Sequence, residues 1–96
     1  NGDVWITPGG IDKGSLKRQD IIKVSADGEI TGLHRPSVEL PFHLSVYNMR
    51  PDIKAIVHAH PPSLVAFSIV RRLPETFMVP NTRLICGEVQ IAPYDL

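Results

Sequence analysis

The chain has 96 residues, enough for one domain and too few for a multi-domain machine. Ten Lys and Arg balance ten Asp and Glu, which leaves no net charge and excludes the basic footprint that binding a nucleic-acid backbone demands. With 43% apolar and 21% charged residues, the composition is that of a folded chain and not of a disordered one. Nine prolines and seven glycines then divide it into short elements, because proline interrupts a helix interior.

In chain order, Val4-Trp5-Ile6-Thr7 reads as a short strand in which Trp5 packs, stopped by the glycine loop Pro8-Gly9-Gly10. Ile21-Ile22-Lys23-Val24-Ser25 is a second strand, and Asp27-Gly28 turns it back into Glu29-Ile30-Thr31-Gly32 as a hairpin. Leu40, Leu44 and Tyr47, with Phe42, Val46 and Met49, recur at helical spacing and predict a helix with a wide buried face. Ser37 is its expected N-cap, Pro41 lies in its first turn, and Arg50-Pro51 ends it. Residues 54–60 read as a strand ended by Pro61-Pro62, and residues 63–72 as a second helix. Phe77-Met78-Val79 and residues 88–92 are the last strand candidates, joined across Cys86-Gly87, and the final one stops at Pro93. Strands alternating with helices indicate an α/β layered domain, and the Asp-Gly hairpin implies a mixed rather than purely parallel sheet.

The strongest chemical signal is His58-Ala59-His60. On a strand, residues i and i+2 share a face about 6.6 Å apart, so two imidazoles can converge on one ion at about 2.0 Å each. Such a pair can equally pack or cap the next helix, and two ligands are not a complete site. Glu39, early in the predicted helix, either interacts with the helix dipole or serves as a general base whose ionised form a nearby metal favours. Gly9 and Gly10 allow close backbone approach to an anion. Ser37 at a helix start adds a hydroxyl, so loop and serine can clasp a phosphate, although a tight turn accounts for the glycines as well. His43, four residues after Glu39, shares its helix face and buttresses it; His34 belongs to the surface. Lys13, Lys17, Arg18, Arg71 and Arg72 read as solvated faces. Cys86 reads as a small core residue, and as the one cysteine it has no disulfide partner in the chain, which favours a reducing compartment. No apolar run is long enough to span a membrane, and the expected location is the cytoplasm.

Taken in order, Thr7-Pro8-Gly9-Gly10-Ile11, Asp20-Ile21, Asp27-Gly28, Pro36-Ser37-Val38-Glu39, His43, Tyr47, Arg50-Pro51 and residues 55–61, Ala-Ile-Val-His-Ala-His-Pro, resemble the class II aldolase/adducin family, most closely its L-fuculose-1-phosphate aldolase branch. The resemblance runs from about Trp5 to Asp95. It implies a three-layer α/β/α domain with a central, largely antiparallel sheet, assembled as a homotetramer. The implied activity is reversible aldol cleavage of a sugar phosphate, dependent on zinc or another divalent ion. By position, His58 and His60 resemble metal ligands, Glu39 the catalytic acid/base, and Gly9, Gly10 and Ser37 the phosphate-binding positions. A 4-epimerase, dehydratase or decarboxylase on the same scaffold, and a non-enzymatic adducin-like interaction domain, are the alternatives. Gly9 and Val38 stand where the family pattern usually has serine. The family's upstream Gly-Asn-x-Ser loop and its downstream third zinc histidine have no counterpart here, so the 96 residues are expected to be the central portion of a single, longer domain.

Overall fold

A computed structural model describes residues 2–93, which leaves the end of the resemblance at Asp95 outside the described residues. The chain divides into two compact units, Asn1–Ile56 and Val57–Leu96.

In the first unit, the strands β1 (Val4–Ile6), β2 (Ile22–Val24) and β3 (Ile30–Thr31) form an antiparallel sheet in that order. Val4 lies opposite Val24 and Ile6 opposite Ile22, so strand alternation sends these four side chains to one face and Trp5, Lys23 and Thr31 to the other. Ile6, Ile22 and Val24 are the buried core, with Val4 and Leu40 packed against them. Burying each of the three core side chains contributes about 1.5–3 kcal/mol. Trp5, expected to pack, is 65% exposed, because the same alternation that buries Ile6 puts the indole on the outer face.

The β2–β3 hairpin forms where Asp27-Gly28 placed it. The Gly28 N–H donates to the Ser25 carbonyl and the Ser25 N–H to the Glu29 carbonyl, both at 2.9 Å, and Gly28 takes the left-handed φ of 91° that closes a three-residue loop. Between β1 and β2 lie two short 3₁₀ turns, Lys13–Ser15 and Arg18–Asp20. The first is capped by the Asp12 carboxylate, which accepts the Gly14 N–H at 3.2 Å, and the second by Asp20, which accepts the Lys17 N–H at 2.8 Å.

Helix α1 (Leu40–Met49) carries Pro41 in its first turn and ends before Pro51, as its periodicity and flanking prolines require. Its N-cap is Glu39 and not Ser37. Ser37 instead opens a turn, its carbonyl accepting the Leu40 N–H at 3.0 Å and its hydroxyl the Glu39 N–H at 3.2 Å. The expected wide buried face is only half covered. Leu40, Leu44, Val46 and Tyr47 are half-buried, whereas Phe42 and Met49 are exposed.

The second unit departs further from expectation. Residues 54–60 form no strand, for a strand exists only as part of a ladder and no described residue pairs with this segment. Helix α2 (Pro62–Ile69) follows, as the apolar recurrence after Pro61 implies. Phe77-Met78-Val79 is a bend and residues 88–92 are irregular, so both late strands are corrected. Between them stands an unexpected helix, α3 (Pro80–Cys86), which begins on a proline and stops at Gly87 in a left-handed φ of 65°. Cys86 is exposed and not a core residue, since no described element covers α3. The small antiparallel sheet and its helices constitute an incomplete three-layer α/β fold.

Candidate metal and phosphate sites

The expected site residues fall into two local groups, one in each unit. The first is built where the loop after β1 meets the approach to α1. Pro8 and Pro36 form an isolated antiparallel bridge, the Gly9 N–H donates to the Arg35 carbonyl at 3.1 Å, and the Ser37 N–H donates to the Thr7 carbonyl at 3.2 Å. The approach is close enough that a Cβ at Gly9 would lie 3.3 Å from the Pro36 carbonyl oxygen and 3.5 Å from the Ser37 Cα. A side chain at position 9 would therefore press on the Pro36 carbonyl, and the Pro36–Ser37 backbone would have to give by a few tenths of an ångström. Gly10 has a left-handed φ of 71° and open space around it. Gly9, Gly10 and Ser37 are thus brought together, and half-buried Glu39 follows Ser37 by two residues.

Sequence reasoning missed one member of this group. Lys13, read as a solvated side chain, donates its ammonium to the Pro8 carbonyl, at the peptide that joins Pro8 to Gly9. His34 is likewise not a plain surface residue: its Nε2 lies 2.9 Å from Asp20 Oδ1. That contact, together with the Lys17 N–H that acts more strongly, holds the Asp20 carboxyl below its usual range. His43 meets Glu39 through its backbone, its N–H donating to the Glu39 carbonyl at 3.1 Å, while its ring stands edge-on to Phe42.

The second group is the histidine pair. His58 and His60 converge despite the absence of a strand, with Nε2 atoms 3.0 Å apart and ring centroids 5.0 Å apart. At this separation one ring N–H can donate to the other ring's lone pair. It also fits the chemistry of a divalent ion. Two imidazole nitrogens bound to one ion at about 2.0–2.1 Å, with bond angles of roughly 90–110°, stand about 2.9–3.4 Å apart. His58 and His60 can therefore supply two ligands. A catalytic zinc takes three from the protein, and no set of three or more His, Cys, Asp or Glu side chains gathers among the described residues.

A separate shallow groove of about 520 Å³ lies on the outer sheet face of the first unit, between Trp5, Arg18, Lys23 and Thr31, and no expected site residue lines it.

The family model for the class II aldolase and adducin N-terminal domain matches residues 1–96. The chain belongs to this family. Among curated relatives, 3-oxo-tetronate 4-phosphate decarboxylase of Escherichia coli K12 is 35% identical over 98 aligned positions, covering 98% of this chain and 46% of the relative. A 3,4-dihydroxyphthalate decarboxylase of Arthrobacter keyseri is 41% identical over 73 positions, 72% of this chain and 29% of the relative. The L-fuculose phosphate aldolase of Methanococcus vannielii is 32% identical over 91 positions, 95% of this chain and 49% of the relative. The chain thus spans less than half the length of these relatives. No solved structure matches it. No helix among the described residues is long and apolar enough to cross a membrane.

Proposed function

We propose that this chain is part of a divalent-metal-dependent enzyme that breaks a carbon–carbon bond beside a carbonyl in a small phosphorylated, sugar-derived substrate, with loss of carbon dioxide as the favoured reaction. The observation that carries the metal is the 3.0 Å approach of the His58 and His60 Nε2 atoms. The choice of decarboxylation rests on the 35% identity, over 98% of the chain, to a 3-oxo-tetronate 4-phosphate decarboxylase, and it replaces the aldol cleavage expected from the motifs. Aldol cleavage is the second reading, supported by the 32% identity to an L-fuculose phosphate aldolase.

Both reactions ask the same of the protein. Heterolysis leaves an electron pair on carbon, which must delocalise into the adjacent carbonyl. A bound divalent ion would supply Lewis-acid polarisation of that carbonyl. His58 and His60 would hold the ion. Glu39, half-buried at the start of α1, carries the proton: it delivers one to carbon after carbon dioxide leaves, or moves it at the carbon where an aldol bond breaks. Ser37, Gly9 and Gly10 bind the phosphate, whose binding energy positions the reacting carbon.

The test uses the full-length protein, with metal content by elemental analysis beside His58→Ala and His60→Ala. A phosphorylated 3-oxo acid and a phosphorylated ketose are then assayed for carbon dioxide and for aldehyde. Near-stoichiometric metal lost in both variants, with carbon dioxide from the 3-oxo acid, is the expected result, and Glu39→Gln should lower kcat by about 10²–10⁴-fold. Aldehyde without carbon dioxide would select the aldolase reading. Metal-free, inactive full-length protein would favour a non-enzymatic, adducin-like domain.

A further inference from the structure

We propose that Lys13 is a phosphate-binding residue, the cation that completes the clasp between the Thr7–Gly10 loop and Ser37; this rests on the phosphate role given above to Gly9, Gly10 and Ser37. The argument is an inventory of donors. A phosphate dianion offers only acceptors and needs several N–H or O–H groups, preferably with positive charge. Several backbone groups of the clasp are already committed: the Gly9 N–H to the Arg35 carbonyl, the Ser37 N–H to the Thr7 carbonyl, and the Glu39 N–H to the Ser37 hydroxyl oxygen. Gly9 has no side chain to donate, and Val38 is apolar and exposed. The Ser37 hydroxyl can still donate its own hydrogen, but it is neutral, as is every backbone N–H of the clasp, so the clasp lacks charge.

Lys13 supplies that charge. Its ammonium is tethered to the Pro8 carbonyl, one peptide from Gly9, and a lysine ammonium carries three donors of which this bond uses one. The Lys13–Ser15 turn that follows Asp12 fixes the stem, through Gly14 N–H and Ser15 N–H bonds to Asp12 of 3.2 and 3.3 Å. The Pro8 carbonyl therefore holds the charge beside the loop in the absence of ligand, and an arriving phosphate finds the cation already in place.

The test is isothermal titration of inorganic phosphate into the full-length protein at two ionic strengths, with Lys13→Met, Lys13→Arg and Ser37→Ala beside the parent, and thermal midpoints to verify folding. Lys13→Met should weaken phosphate binding by about tenfold or more and flatten its salt dependence, while Lys13→Arg keeps both, as expected of a charge-assisted contact. A lysine that merely tethers the loop would lower the midpoint and leave the salt dependence unchanged, which overturns the proposal. Loss of phosphate binding in Ser37→Ala but not in Lys13→Met would overturn the role of Lys13 and leave the clasp standing. A parent protein that binds no phosphate would overturn both the clasp and Lys13 while leaving the histidine metal site to its own test.

Discussion

The second unit of the chain is the richer in apolar residues, yet only the first encloses any of them. In the first, a hairpin and its neighbouring strand enclose Ile6, Ile22 and Val24 under the start of α1. In the second, Leu64, Phe67, Ile69, Phe77, Leu84 and Ile85 are all exposed, and no described residue is buried. The difference is one of pairing. An apolar strand or helix becomes core only when a second layer closes over it, and antiparallel neighbours joined by a short turn supply that layer locally. The prolines that punctuate the second unit permit helices but supply no such neighbour. Its histidine pair therefore stands on an irregular, exposed segment, whereas the Gly9–Ser37 clasp is anchored to β1 and its bridge.

This contrast can be broken by truncating one apolar side chain in each unit. Ile22→Ala removes a fully buried side chain and should cost about 2–4 kcal/mol, read as a loss of amide hydrogen-exchange protection across β2. Phe67→Ala, at a position already 40% exposed, should change protection by less than about 0.5 kcal/mol in this chain. Equal effects would mean that the second unit has a core of its own. Gly32→Ala sharpens the same point with a smaller effect. A Cβ there would lie 3.1 Å from Ile22 Cγ1 and 3.3 Å from its Cα, so the substitution presses on the core from the residue just past β3 and should cost about 1–2 kcal/mol in denaturant unfolding.

What the sequence made legible follows the same division. The hairpin was readable because Asp27-Gly28 and strand alternation act within a few residues, and α1 because Pro41, Pro51 and the i, i+4 spacing are local signals. The pairing of His58 with His60 was readable from spacing alone, although the strand invoked to explain it is absent. Helix α3 carried its own signals, proline at its start and glycine just past its end, but the β-forming run Phe77-Met78-Val79 outweighed them. Lys13 beside Pro8 and His34 beside Asp20 were not readable, since each contact depends on how the 3₁₀ turns fold back on the loops and not on any spacing along the chain.

The weakest expected effect concerns that last contact. Asp20 is held below its usual range chiefly by the Lys17 N–H and then by His34, so its folded pKa is lower than its unfolded one. A carboxyl shifted in this direction stabilises the fold above its unfolded pKa of about 4, and that contribution disappears as pH falls through the folded value. The thermal midpoint of the parent should therefore drop between pH 5 and pH 3 by more than that of Asp20→Asn, and the two curves should converge at the acid end. The difference should be small, since the pair is partly exposed and water screens it. His34→Gln separates the two causes. If the Lys17 N–H dominates, this variant keeps most of the acid sensitivity, because the bond that caps the Arg18–Asp20 turn survives without the imidazole. If the sensitivity vanishes with the imidazole, then the long-range contact, not the local cap, fixes this turn against the segment that leads into Ser37.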